Sequence, residues 1–590
     1  MRNRVLRAIV FAAMIASSCR DNGMDSPGQQ NTPRQGDYAL PVFETTDMHG
    51  YIVSNDADAT HYRLAYIADK VEDLRAEASK KASEEVDVRD LLLLLDGGDH
   101  YQGASVSNML DGWPMYVAMD RMGYDAVALG NHEFDWGFDK MVESDATLPA
   151  YDWEGQHFSN EVPVLCSNLY RDGERVSSTR DYIIVEKTAV GPGGSTVKVR
   201  IGIIGFADNY AGSIMASKFT GLGFSVKEDY SIVSDLAARL EEAGECDATV
   251  LLTHCAAPEA ANGLGRESAV DLVLGGHSHR TLSGRTDWGL PYLQGGRYCE
   301  HYAQAYLRFT VDGQGNVSFW KVDDLRTPAV DASRDLHASP GQNSADLSEA
   351  IMAVSDEAIA RSSDKLGEVI GYINVDATSY YIPGSDGRAA VISNWMCDIL
   401  RRIGQADVAF VNSGGVRTSI SLDGHPKRNI TVANVYEMFP FDNLTYVYDL
   451  TYEELLKVFE YSMTSGGLAL FSRVTGIDCA FTRTDYESYS VYAVKSLSKD
   501  GTVIYSDGRW TSGWASRPVR LAVSEYLATS ERTDYYTGIP NPLIEWNGTS
   551  RLIANSLIDN ENAVRVLESE ADASGGLLYI DTEPHFRLVE

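Results

Sequence analysis

Gly130-Asn131-His132-Glu133-Phe134-Asp135-Trp136-Gly137 follows directly on the apolar run Ala126-Val127-Ala128-Leu129. That order predicts a buried strand ending in a tight turn, with Gly130 free to bend. Asn131 offers a neutral amide oxygen, a hard ligand suited to a metal ion. His132 comes next, and Asp135 lies three residues on, within reach of its imidazole. A carboxylate behind a histidine fixes the tautomer and raises the basicity of the ring. One turn thus supplies a metal ligand, a proton-carrying side chain and its orienting group. The plain alternative is a strand-to-helix turn with polar residues facing solvent.

The same order recurs along the first half. Pro41 to Gly50 is an apolar strand running into Asp47 and His49, whose spacing predicts side chains on one side of an extended chain. Leu91 to Leu95 is a buried strand that empties into Asp96-Gly97-Gly98-Asp99. Asp99 is placed to bridge two cations, each oxygen taking one; its alternative role is a helix N-cap. Thr249 to His254 is a strand ending in histidine, and Val270 to Leu274 runs into Gly275-Gly276-His277-Ser278-His279. Strand ends are where sites collect in layered sheet enzymes. A lone histidine on an apolar face is ordinarily a core residue, but that reading does not cover five strand ends at once. Asp47, His49, Asp99, Asn131, His254, His277 and His279, with one of them bridging, fit two adjacent divalent metals.

The chain has 590 residues, too many for one core, so two large domains are expected. Its formal net charge of -34 argues against a nucleic-acid partner, which wants a basic surface. An anionic substrate must then be drawn in locally, by metal ions or by specific arginines. Arg2, Arg4 and Arg7 precede a short apolar run, Ala8 to Ala16, which leads into Ser17-Ser18-Cys19. Small residues before a cysteine resemble the bacterial lipobox. Residues 1–18 are then a lipoprotein signal peptide, Cys19 is lipidated, and 19–37 form a disordered polar tether. Ordinary signal cleavage is the alternative. Either way the chain is expected to be exported; with Cys19 lipidated it is a periplasmic or cell-surface lipoprotein with a lipid anchor as its only membrane contact. The remaining cysteines are dispersed, with no CxxC pair, and read as small buried apolar residues.

Domain one is expected over 38–326, closed by a hairpin from Leu307 to Val322 that turns at Asp312 to Gly315. Residues 327–365 read as a linker plus a helix from Ser344, and 366–590 as domain two. There Ile373 to Val375 reads as a strand, Ala389 to Arg402 as a helix, and Asp407 to Val411 as a strand emptying into Asn412-Ser413-Gly414-Gly415-Val416-Arg417. The glycines allow close approach to a ligand, and Arg417 offers a bidentate contact to phosphate or carboxylate. Phe441, in Phe439-Pro440-Phe441-Asp442-Asn443, has a flat ring that can face a base or fill a core.

The succession Asp-x-His, Gly-Asp, Gly-Asn-His-Glu, Thr-His and Gly-Gly-His-Ser-His resembles the calcineurin-like metallophosphoesterases. The strings Asp96 to Gly103 and Gly130 to Gly137 resemble the 5′-nucleotidase branch, which includes periplasmic UDP-sugar hydrolases. The resemblance implies an α/β (α+β) chain, an αββα sandwich joined by a helix to an α/β substrate-specificity domain. It implies one metal on Asp47, His49, Asp99 and His279, and another on Asp99, Asn131, His254 and His277. His132 and Asp135 would be the catalytic dyad, and Asn412, Gly414, Arg417 and Phe441 would meet substrate. The ligand types suit zinc, manganese, iron or cobalt. Two such ions clamp a phosphate oxygen and acidify a bound water, giving the hydroxide that attacks phosphorus. The implied activity is a 5′-nucleotidase acting on a small-molecule nucleotide or other phosphate ester. Its alternatives are a 2′,3′-cyclic nucleotide phosphodiesterase, a UDP-sugar hydrolase, or a binding protein whose site has decayed. Two departures concern the substrate side. The family's Gly-Gly-Asp-Gly-aromatic loop is replaced by Ser530 to Gly538, where Tyr535 or Tyr536 supplies the aromatic, and Arg388 stands in for an arginine before the first helix of domain two.

Overall fold

The computed structural model describes residues 34–55, 60–208, 214, 217–333, 336, 347–377, 391–412, 415–464, 474–486, 489–529, 542–545, 551–582 and 585–588. Cys19, Arg388, Gly414, Tyr535 and Tyr536 lie outside them.

The first half is a 12-stranded sheet. In chain order its strands are β1 (Gly36–Thr45), β2 (Leu93–Asp96), β3 (Ala126–Ala128), β4 (Val164–Leu165), β5 (Tyr182–Val190), β6 (Thr196–Ala207), β7 (Ala248–His254), β8 (Leu272–Leu274), β9 (Thr281–Arg285), β10 (Pro291–Gly295), β11 (Ala303–Val311) and β12 (Val317–Arg326). The order across the sheet is β9-β10-β8-β7-β6-β5-β1-β2-β3-β4, with β11 pairing β1 and β12. The β1–β5 join is a single residue pair, Ala39 with Val190. The expected two layers are therefore hydrogen-bonded into one sheet that doubles over on itself.

Side-chain alternation builds the layers. Leu40 and Val42 of β1, Leu93 and Leu95 of β2, Ile201 and Ile203 of β6, Val250 and Leu252 of β7, and Leu272 and Leu274 of β8 meet in an inner core made of strand residues. The intervening residues face outward under helices: Phe43 and Leu94 on one side, Ile204, Leu251 and Val273 on the other. Both faces of these central strands are thus covered, so they read as continuous apolar runs. Each fully buried leucine adds about 2 kcal/mol relative to exposure.

The outer helices follow the same physics. α1 (Arg63–Lys81) buries Leu64, Ile67, Ala68, Val71, Leu74 and Ala78, one face of a 3.6-residue period. Lys80 and Lys81 in its last turn complement the helix dipole. α2 (Trp113–Met122) stops at Gly123, whose φ of 70° closes a left-handed cap. α3 (Ser231–Ala243) buries Val233, Ala237 and Leu240 on the opposite side of the sandwich.

The connecting helix α4 (Leu347–Leu366) buries Ile351, Met352, Val354, Ala358 and Leu366 and packs against α1 and α2. Tyr62 donates to Asp356 (2.7 Å), and Arg361 lies over the Trp113 ring (3.9 Å). It is not a bare surface helix. The second domain holds a five-stranded sheet in the order 474–475, 408–410, 518–524, 444–451, 551–558. α5 (Val391–Ile403) packs on it.

Some expected boundaries move. The chain at Val88–Leu91 is a 3₁₀ turn and the strand starts at Leu93. The strand expected at 373–375 lies at Val369–Ile373. Among the described residues no helix is long and apolar enough to cross a membrane, and Cys166, Cys246, Cys255, Cys299, Cys397 and Cys479 form no disulfide with one another.

Candidate active site

The seven ligand candidates converge at the ends of β1, β2, β3, β7 and β8. Together with His132 they form three close groups: Asp47, His49 and His279; His49, Asp99 and His132; and Asp99, His254 and His277. Asn131 joins the last, its Oδ1 being 2.9 Å from His277 Nδ1.

Backbone conformation, rather than strand alternation, aims these side chains. β1 ends at Thr45, and Asp47 and His49 lie beyond it with φ of 51° and 49°. Asp99 (φ 57°), His277 (68°) and His279 (57°) are left-handed as well. Aspartate and histidine tolerate this region better than most residues, and strain of this kind collects at functional sites. The expected extended Asp-x-His arrangement is replaced by a turn, because residues 47–50 leave β1 and hydrogen-bond along the 98–100 loop: Asp47 N–H to Gly98 O, His49 N–H to Asp99 O and Gly50 N–H to His100 O, each 2.9–3.0 Å.

Asp99 is central. Its Oδ1 accepts the His132 backbone N–H (2.9 Å), and its Oδ2 faces His254 and His49. Oδ2 is 3.0 Å from His254 Nε2 and 3.7 Å from His49 Nε2. Asp99 is not an N-cap; the helix that follows, Ser105–Met109, starts after Ala104. Gly130 serves by its smallness rather than by bending, since its φ is not left-handed and a Cβ there would lie 2.2 Å from Asp99 Oδ1.

Backbone carbonyls fix two imidazoles. Gln102 O accepts from His49 Nδ1 (2.7 Å) and Gly97 O from His254 Nδ1 (2.6 Å). In the neutral His49 ring the lone pair is then on Nε2, facing the site, whereas Asp99 and Asp47 outweigh burial at His254 and raise its pKa to about 10. Burial, reinforced by neighbouring cations such as Arg417 and His254, pushes His49 and His279 well below the usual imidazole range and His277 to about 4. At all three rings the shift favours the uncharged form. Burial raises the Asp99 carboxyl, but His254, His132 and His49 overcome it and hold it well below the carboxylate range.

The donor set fits cations. Two imidazole nitrogens, His49 Nε2 and His279 Nε2, face each other at 3.0 Å. The buried Asp47 Oδ1 makes no hydrogen bond and lies 3.4 Å from His279 Nε2. Facing lone pairs beside a buried carboxylate want a positive charge between them. Mixed oxygen and nitrogen donors match borderline divalent metals.

His132 stands beside this cluster, its Nδ1 2.7 Å from Asp135 Oδ2 and its Nε2 4.0 Å from Asp99 Oδ2. Burial lowers its pKa, but Asp135 and Asp99 outweigh that and hold it above the ordinary imidazole value. A cavity of about 350 Å³ opens from here into the second domain; Asn131, His132, His279, Asn412, Arg417 and Phe441 lie on its wall. Arg417 Nη1 reaches 3.4 Å from His279 Nε2. The half-buried Phe441 ring stacks on His132 at 5.4 Å and 24°. Gln102 Nε2 and Asn108 Nδ2 both donate to Pro440 O, at 2.5 and 2.9 Å, pinning Phe441's neighbour to the first domain.

Two family models cover this architecture: "Calcineurin-like phosphoesterase" matches residues 40–281 and "5'-nucleotidase, C-terminal domain" matches 369–496. The chain belongs to the 5′-nucleotidase family. It is 24% identical over 535 residues to "Endonuclease YhcR" of Bacillus subtilis, covering 86% of this chain and 38% of that protein. The chain thus spans well under half of that relative's length. It is 24% identical over 520 residues to the "5'-nucleotidase" of Vibrio vulnificus, 80% of this chain and 85% of that protein. A crystal structure of a 5′-nucleotidase precursor from Thermus thermophilus shares the fold with a TM-score of 0.65 at 19% identity, covering 94% of this chain and 99% of that one.

Within this family frame the structure also shows residues that sequence reasoning passed over. Glu133 accepts three backbone N–H groups, from Gly130 (2.7 Å), Asp99 (3.1 Å) and His100 (3.1 Å), and so locks the two ligand loops together. It sits inside the opening motif, where a buried acid between two ligand loops was the available signal. Asn443 and Asp559, 7% and 2% exposed, line the far end of the cavity. Asp559 carries no sequence signal beyond its place at a helix start.

Proposed function

We propose that this chain is a two-metal phosphohydrolase that cleaves phosphate monoesters of nucleotides outside the cytoplasm. The observation that carries the reading is the meeting of Arg417 and Phe441, from the second domain, with His279 and His132, from the first. A cationic fork beside the ligand cluster selects a phosphoryl group. An aromatic ring at the cavity wall suits a planar leaving group.

Asp47, His49, Asp99 and His279 would hold one divalent cation, and Asp99, Asn131, His254 and His277 the other. Bound there, such ions supply Lewis acidity toward phosphoryl oxygens and lower the pKa of water. The protein's own groups do the rest. Arg417 orients the phosphoryl oxygens. His132, held by Asp135, donates from Nε2 in its protonated form to a phosphoryl oxygen or to the departing ester oxygen. The apolar wall formed by Met396, Leu400, Val411 and Met438 excludes water from the leaving group. Export and anchoring through Cys19 rest on the N-terminal sequence pattern and are tested by fatty-acid labelling that Cys19→Ala abolishes.

The deciding experiment measures phosphate release from 5′-AMP, 3′-AMP, 2′,3′-cyclic AMP, UDP-glucose and p-nitrophenyl phosphate, with Mn²⁺ and with EDTA. Metal-dependent cleavage of 5′-AMP well above the aryl ester is expected. Cleavage of the aryl ester alone sinks the nucleotide assignment, and preference for the cyclic or sugar ester redirects it.

A further inference from the structure

Tyr298 lies on the loop between β10 and β11, outside every motif that supplies a ligand. It is 8% exposed. Its φ is 55°, and so is that of Cys299. Two successive non-glycine residues in the left-handed region are held there only by strong surroundings.

Those surroundings are the metal-ligand loops. The Tyr298 N–H donates to Asp47 O (2.9 Å). Gln294, four residues earlier, donates from Nε2 to Ser278 Oγ (2.8 Å), between the two histidines of the last ligand loop. The Tyr298 ring is edge-on to His49 (5.6 Å, 67°) and to His279 (5.5 Å, 72°), and its outer side is covered by Tyr51 (4.5 Å). Its hydroxyl accepts from Arg417 Nη1 at 3.4 Å, the same nitrogen that reaches His279.

We propose that Tyr298 is a positioning residue for the phosphoryl group. The ring holds the planes of His49 and His279, two ligands of one cation. The hydroxyl sets the guanidinium of Arg417, so the second domain's arginine is aimed by a residue of the first. Tyr298 makes and breaks no bond. A tyrosine does both jobs because it joins a rigid aromatic body to a polar tip. The inference rests on the two-metal phosphohydrolase reading but not on which ester is the substrate.

The test uses inorganic phosphate as a competitive inhibitor of aryl phosphate hydrolysis, together with metal content by mass spectrometry and calorimetric Mn²⁺ titration. Tyr298→Phe keeps the ring and the fold. It is expected to retain both cations and to weaken phosphate inhibition about tenfold, as loss of one hydrogen bond to a charged group does. Arg417→Ala weakens it further, and Tyr298→Phe added to Arg417→Ala has no additional effect, since both remove one interaction. Tyr298→Ala is expected to weaken one of the two Mn²⁺ binding steps while Tyr298→Phe does not. The proposal is overturned if Tyr298→Phe leaves phosphate inhibition unchanged, or if its effect adds in full to that of Arg417→Ala. These outcomes are separate from the ester panel: nucleotides can fail as substrates while phosphate still reports on Tyr298.

Discussion

Arg417 Nη1 lies 3.4 Å from His279 Nε2, across a sequence separation of 138 residues and across the boundary between the domains. One atom pair thus connects the loop after the strand 408–410 of the second domain to the candidate ligand cluster of the first. Arg417→Ala is expected to raise KM for a phosphate monoester roughly ten- to a hundredfold, the range for a lost charge-assisted contact, with metal content unchanged. Arg417→Lys should recover only part of this, because an ammonium lacks the planar fork. Steady-state kinetics of the three proteins decide it; full activity in the lysine variant contradicts bidentate phosphate contact.

The His132–Asp135 pair predicts a different signature. His132→Asn should lower kcat by about 10²–10⁴, the span for a positioned acid or base, and keep both cations. Asp135→Asn leaves the ring but loses its 2.7 Å anchor, so kcat should fall by about 10–100-fold. Equal KM changes in both variants, without loss of kcat, would move His132 from chemistry to binding.

Metal removal should destabilise the first domain. Its buried donors, Asp47 Oδ1 among them, are left without a countercharge. A cation at a thousandfold excess over its Kd adds about 4 kcal/mol to the folded state. Scanning calorimetry with EDTA, then with restored Mn²⁺, should show a reversible drop in Tm. An unchanged Tm at saturating chelator, with metal removal verified, excludes a resident metal at this cluster.

His585 gives a pH prediction away from the active site. Its Nδ1 meets Asp478 Oδ1 and its Nε2 meets Asp581 Oδ2, both at 2.7 Å. Burial lowers its pKa, but the two carboxylates exceed that and the net shift is upward. A histidine raised on folding stabilises fully below its unfolded value, about 6.5, and loses that contribution as the pH rises through the folded value. The stability gap between wild type and His585→Asn should therefore be larger at pH 6 than at pH 9. A gap that widens with pH reverses the assignment.

The strand-then-ligand rhythm made the sandwich and the cluster legible, because burial forces apolar runs and ligands can stand only where those runs end. The left-handed geometry of Asp47, His49, Asp99, His277 and His279 was not legible, since backbone sign depends on the hydrogen bonds that each loop finds in the fold. Tyr298 was hidden for the same reason: its partners, His49, His279 and Arg417, come from three distant stretches. From the sequence Phe441 can face a base or fill a core; its stacking on His132 depends on how the domains meet. Arg388, Gly414, Tyr535 and Tyr536 fall outside the described residues, so their assignment stays with the sequence.

The doubled-over sheet has a mechanical consequence. Asp47, His49, Asp99 and Asn131 leave strands of one layer, while His254, His277 and His279 leave strands of the other, and backbone pairing between β1 and β5 is one residue pair. Each cation, bound as proposed, takes ligands from both layers. The pair would rivet the sandwich at its open mouth, closing a loop of chain in the way a disulfide does, without any cystine. Slow unfolding and resistance to proteolysis would then be properties of the metal-loaded protein, and catalysis and durability would depend on the same two ions.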